Sequence, residues 1–120
     1  MEIFNLEGTE DTPKVLFDKD NGIFELSGRS LPEDTAEFYE PILNWISEYA
    51  TDLNDKTEFV FKLEYFNTAS SKLILDLLSL LEDIEGTSIL WYFHEDDEDM
   101  EEAGEEFSEL VEIPFEFKTY

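Results

Sequence analysis

Apolar positions along the chain change period several times, and each change marks an element. Residues 1 to 13 mix Ile3, Phe4 and Leu6 with Gly8, Thr9, Thr12 and Pro13, which fits a short edge strand and a loop. Lys14 to Asp18 and Gly22 to Ser27 flank Lys19-Asp20-Asn21-Gly22. Asn-Gly between two apolar runs signals a hairpin, because both residues tolerate positive φ. Pro32, Glu33 and Asp34 suit a first helical turn, and Phe38, Ile42, Trp45, Ile46 and Tyr49 then recur on one helical face. Pro41 inside that stretch predicts a bend or a restart one turn in.

Thr57 to Phe66 alternates, with Phe59, Phe61, Leu63 and Tyr65 on one face and Val60, Lys62, Glu64 and Phe66 on the other. It reads as a strand. A helix from about Ala69 to Ile84 carries Leu73, Leu77, Leu80, Leu81 and Ile84 on one side, with Gly86 as its stop. Thr87 to Phe93 is a nearly continuous apolar run, as expected of a strand covered on both faces. Acids from Glu95 to Asp99 open a third helix, whose inner face is Met100, Ala103, Phe107, Leu110 and Val111. Pro114 ends it, and Phe115 to Thr119 alternates as a last strand.

The order is β-β-α-β-α-β-α-β, with a possible extra strand at the start. Repeated strand–helix–strand units imply right-handed crossovers. The expected fold is therefore a single α/β domain over residues 1–120, a mixed, mostly parallel sheet with an N-terminal antiparallel hairpin.

Composition then narrows the function. The chain has 120 residues and a net charge of −25, from 32 Asp+Glu against 7 Lys+Arg. So acidic a chain with few aromatics would be disordered, but aromatics make up 15% here, so the charge lies on a packed globule. Such a surface repels nucleic acid and anionic membranes and attracts basic partners. Cysteine is absent, so disulfides and thiolate metal sites are excluded. No segment approaches the ~18 unbroken apolar residues of a membrane span, so no membrane insertion and a cytoplasmic location are expected.

Candidate chemistry is sparse. A nucleophile–His–carboxylate triad would have to use His94, the single histidine, which lies at a strand end beside Glu95, Asp96 and Asp97. No nucleophile elbow or glycine-rich phosphate loop accompanies it, so an end-of-strand residue is the better reading and no catalytic residue is assigned. Asp18-Lys19-Asp20-Asn21-Gly22 begins like a calcium loop, but Ile23 and Arg29 stand where Gly and Glu are needed. Consecutive acids from Glu95 to Asp99 are read as caps and dipole partners, so neither metal nor cofactor is assigned.

Leu63-Glu64-Tyr65-Phe66-Asn67-Thr68-Ala69-Ser70-Ser71-Lys72 stands apart. It leaves an alternating strand, carries three hydroxyls in four residues and enters the most apolar helix. A helix start offers free N–H groups and the positive end of the dipole, so a phosphate there is well received. Thr68 is read as a phosphorylation site, with Lys72 one turn on able to reach back. Asn67 and Thr68 are also good N-cap residues, and capping alone is the competing explanation. Two further charges on a surface at −25 change the global field little, and salt screens them beyond ~8 Å. Phosphorylation would therefore act locally, by placing a dianion in a docking face.

That segment, together with Gly28-Arg29-Ser30-Leu31-Pro32-Glu33-Asp34, Phe38-Tyr39-Glu40-Pro41-Ile42, Asp96-Asp97-Glu98-Asp99-Met100 and Gly104-Glu105-Glu106-Phe107, resembles the SiaC family of bacterial regulatory phosphoproteins. The resemblance runs over essentially the whole chain. It implies a STAS-like fold, as in anti-sigma-factor antagonists, with Thr68 at the regulated position. It also implies a cognate kinase, a PP2C-like phosphatase, and a diguanylate cyclase that the unphosphorylated form binds and activates, raising cyclic di-GMP and promoting aggregation or biofilm growth. Asn67, Ala69, Ser70, Ser71, Lys72, Asp96, Asp97 and Asp99 are the expected partner-facing residues. The alternative from charge alone is an acidic mimic of nucleic acid that occupies a basic groove on another protein. A small hydrolase built on His94 and the acids from Asp96 to Asp99 ranks third.

Overall fold

The hairpin forms where Asn-Gly stands, with a longer turn than that dipeptide signals. In the computed structural model, which describes all 120 residues, β2 (Lys14–Asp18) pairs antiparallel with β3 (Ile23–Ser30) around a loop of residues 19–22. Gly22 alone takes positive φ, at 68°, while the Asp18 carboxylate accepts from the backbone and side-chain N–H groups of Asn21. β1 (Phe4–Leu6) is the extra strand, antiparallel to β2 at one edge. Three β-α-β units follow: α1 (Thr35–Tyr49), β4 (Thr57–Phe66), α2 (Thr68–Glu82), β5 (Thr87–Phe93), α3 (Glu98–Leu110) and β6 (Phe115–Thr119). The six strands lie in chain order, and β3 to β6 are mutually parallel.

Right-handed crossovers that all step in one direction put every helix on the same face of the sheet. Burial follows that rule. Phe17, Phe24, Phe59, Phe61, Ile89 and Trp91 are buried beneath the helices, whereas Leu16, Glu25, Val60, Lys62, Leu90 and Tyr92 on the other face are only half-buried. The expectation that β5 is covered on both sides is thus corrected: its apolar outer residues lie on an open face. There Lys62 bridges Glu25 and sits over the Tyr92 ring.

Three local readings also change. Register between β3 and β4 slips at Gly28 (φ 96°), so that Gly28 pairs with Leu63 and Arg29 with Tyr65. The extra residue, Glu64, reverses the alternation beyond it. Phe66 therefore meets Phe107 on the helix side, and Tyr65, expected on the same face as Phe59, Phe61 and Leu63, lies exposed under Arg29. In α1 the buried stripe is Tyr39, Ile42, Trp45, Ile46 and Tyr49, with Phe38 half-buried. The helix runs through Pro41 without a break, at an exposed position where water can reach the carbonyl freed by the missing N–H. Finally, α2 ends at Glu82 with Asp83 as C-cap, so Gly86 (φ 80°) is the turn into β5 rather than the helix stop. No helix is long and apolar enough to cross a membrane.

Candidate functional site

The end of β3, the end of β4 and the start of α2 meet at one backbone oxygen. Ser30 O accepts from Asn67 N at 3.1 Å and from Ser70 Oγ at 2.9 Å. Ser30 Oγ donates in turn to Ser70 Oγ at 2.9 Å and lies 2.6 Å from the Tyr39 hydroxyl, which must donate to it. All three side chains are fully buried. The network satisfies every hydroxyl in it and ties α1, β3 and the first turn of α2 together. Burial pushes the Tyr39 hydroxyl up to about 12, against the smaller opposing pull of its Ser30 and Ser70 neighbours.

The competition between Asn67 and Thr68 for the cap is resolved in favour of Asn67. Its side chain accepts from Ser70 N at 2.8 Å, which makes Thr68 the first helical residue. The Thr68 side chain is exposed, and its hydroxyl makes no hydrogen bond within the protein. Ala69 and Lys72 are exposed beside it, Lys72 on the same face one turn on and in no ion pair. Ser71 is half-buried against α3. Ser70, expected to face a partner, is instead buried and points into the hydroxyl network, where it ties the first turn of α2 to β3.

The acidic residues divide similarly. Asp97 caps α3 by accepting from Met100 N at 3.0 Å. Asp97 and Asp99 border a hollow of about 310 Å³ that also takes in Glu64, Tyr65, Phe66, Met100 and Ala103, whereas Asp96 is exposed outside it. No three carboxylate or imidazole side chains converge into a group that could hold a metal ion. His94 stacks on Tyr120 at 4.2 Å and places Nδ1 3.2 Å from the Tyr120 backbone oxygen. No hydroxyl is hydrogen-bonded to it, which leaves the hydrolase reading without a nucleophile.

Sequence reasoning missed Ser30 and Tyr39. Both stand in stretches singled out for their resemblance to a family, but nothing local tells a buried, satisfied hydroxyl from a surface one.

A model of a family described as SiaC family regulatory phosphoprotein matches residues 6–120. The chain belongs to the SiaC family. It is 30% identical over 119 residues to an uncharacterized protein of Pseudomonas aeruginosa strain UCBPP-PA14, covering 96% of this chain and 94% of that one. The crystal structure of apo-SiaC from Pseudomonas aeruginosa superposes with a TM-score of 0.89 at 30% identity, over 98% of this chain and 99% of the other. A chain of the crystal structure of the diguanylate cyclase SiaD in complex with its activator SiaC, from the same organism, gives 0.91 at 29% identity, again over 98% and 99%. SiaC-family membership makes this a regulatory protein by descent, with the mixed sheet and N-terminal hairpin of the solved relatives.

Proposed function

We propose that this chain is a non-enzymatic, cytoplasmic switch protein, reversibly phosphorylated on Thr68 by a cognate protein kinase and returned to its ground state by a PP2C-like phosphatase. Unphosphorylated, it binds and activates a diguanylate cyclase through the surface around Thr68 and the start of α3; phosphorylated, it releases that partner. The observation that carries this reading is the Thr68 hydroxyl, exposed at the first turn of α2 and free of any hydrogen bond, on a turn bolted down from below. A phosphoryl group there adds about −1.5 to −2 charge and meets the helix dipole and Lys72. A dianion left unpaired under a docked partner costs several kcal/mol, enough to shift an equilibrium by orders of magnitude. In the relative of known assembly, SiaC is the activator of the cyclase SiaD.

The test is intact-mass analysis and site mapping of protein taken from its native cell, combined with cyclase assays. A single phosphate on Thr68 is expected, with Thr68→Ala activating the cyclase constitutively and Thr68→Glu activating it weakly. Equal activation by wild type, Thr68→Ala and the phosphorylated protein overturns the proposal. Strongly salt-dependent binding to a basic protein, indifferent to changes at Thr68, would point to the acidic-mimic alternative.

A further inference from the structure

We infer that the free edge of β6 is an interface between two copies of this chain, which pair antiparallel about a twofold axis at Phe117 and join their sheets into one. The inference stands apart from the phosphorylation reading, since Thr68 follows β4, two strands in from this edge.

The sheet has two free edges, β1 and β6. β1 spans three residues, is flanked by Glu2 and Glu7 with no base, and has the Trp45 indole donating to Glu2 O at 3.0 Å. A very short, charged edge is a common device against strand pairing. β6 is a run of five, Phe115-Glu116-Phe117-Lys118-Thr119, with no proline inside it and an unbroken register against β5. Its neighbour fixes which way its backbone groups point. Pro114 O accepts from Ile89 N at 2.8 Å and Tyr120 N donates to Phe93 O at 3.2 Å, so the even-numbered residues bond to β5. Phe115, Phe117 and Thr119 therefore turn their N–H and C=O groups to the open edge, where they are a template for another strand.

An antiparallel copy paired about Phe117 uses all of them. Phe117 falls opposite Phe117 of the second copy, and Phe115 opposite Thr119, and each such pair exchanges both of its hydrogen bonds. Between them Glu116 falls opposite Lys118, at the closer, non-hydrogen-bonded spacing, and the twofold makes this acid–base pair twice. An axis at Glu116 or Lys118 would present groups already bonded to β5. One at Phe115 or Thr119 would shorten the overlap and separate the acid from the base. Backbone direction and charge thus select the same register.

The charge also selects the occupant. A strand whose acid and base stand two residues apart is complementary to itself, and the exposed Glu116–Lys118 contact of 3.2 Å within one strand is exchanged for contacts across the axis. On the helix side Phe117, 38% exposed, closes on its counterpart beside the half-buried Phe115. A single short strand on each side falls below the ~800 Å² per partner of a stable complex, and the −25 charge on each copy opposes contact, so the dimer is weak and reversible.

Sedimentation equilibrium of the full chain at an ionic strength of about 0.15 M tests this, with every variant checked for native circular dichroism. Wild type should associate reversibly as its concentration rises. Glu116→Lys and Lys118→Glu each set like charges opposite one another, and each alone should weaken association roughly tenfold. Mixing the two variants, or combining both changes in one chain, returns opposite charges to both positions and should restore association. Thr119→Pro removes an outward N–H without touching the bonds to β5 and should also weaken it. Single variants that associate like wild type overturn the interface, as does a folded double variant that stays monomeric. Wild type that remains monomeric to about 1 mM overturns it too, and leaves the edge to a strand of another protein. Should Thr119→Pro be unfolded, the charge exchange decides the question without it.

Discussion

Ser30 holds three groups at once: the Tyr39 hydroxyl, the Ser70 hydroxyl and the Asn67 N–H. The position of Thr68 depends on these contacts more than on its own side chain, since the threonine hydroxyl makes no hydrogen bond. Tyr39→Phe removes the outermost donor and leaves Ser30 Oγ short of one partner, at a cost of about 1 kcal/mol near neutral pH. The pH dependence follows from burial. The folded-state pKa of Tyr39 is raised above its ordinary value of 10.0 to about 12, so its contribution is complete below pH 10 and is lost as pH rises through 10 to 12. Each pH unit in that window removes about 1.4 kcal/mol from wild type and nothing from the phenylalanine variant on this account. Urea unfolding of both proteins at about pH 8 and about pH 11 should show the gap between them narrowing or reversing. A gap independent of pH would mean that the phenol is not held neutral by the fold.

Elements show how far local pattern reaches. β4 and β6 occupy the spans their alternation predicts, and β5 the span of its nearly continuous apolar run. Errors fall where a distant contact decides. Tyr39 replaces Phe38 inside α1 because its hydroxyl finds Ser30, on another strand. Tyr65 and Phe66 exchange faces because the bulge opposite Gly28 inserts Glu64, which no periodicity in β4 announces. The start of α2 was legible as a hydroxyl-rich helix entry; the hollow beside Asp97 and Asp99 was not, since it depends on how α3 lies against the end of β4. In α3 the expected inner residue Leu110 is exposed, and the unexpected one is Gly104. A Cβ built there lies 2.5 Å from Trp91 Cδ1 and Nε1, and 2.9 Å from Phe117 Cε1. Helix propensity favours alanine over glycine by up to ~1 kcal/mol, while overpacking a core costs ~1–3 kcal/mol. With a fully buried indole as the obstacle, the steric term wins. Gly104→Ala should destabilise the protein by about 1–2 kcal/mol in urea unfolding and perturb the near-ultraviolet tryptophan signal, because lifting α3 strains the 3.0 Å bond from Trp91 Nε1 to Met100 O. An unchanged or raised stability would show that α3 sits further from β5.

Taken whole, the molecule carries its −25 charge on a body with a Cα radius of gyration of 13.3 Å, and only three ion pairs offset it. Those pairs are at the surface and contribute little, about 0–1 kcal/mol each. Repulsion among the remaining carboxylates is therefore the larger electrostatic term, and it opposes the compact state. Added salt shortens the Debye length from ~30 Å at 0.01 M to ~10 Å at 0.1 M, spanning the distances between surface carboxylates on a protein of this size. Raising sodium chloride should accordingly stabilise the fold: about 1–2 kcal/mol corresponds to a rise of several degrees in Tm for a domain of this length. Most of the gain should arrive below ~0.2 M, where screening changes fastest. A thermal series at neutral pH measures this, and a Tm that falls with salt would mean that attraction dominates the surface. The same field would draw a basic partner from a distance, so association with the proposed cyclase partner should slow as salt rises even while the fold strengthens. Opposite signs for the two salt dependences distinguish a charge kept for its partners from a charge that supports the fold.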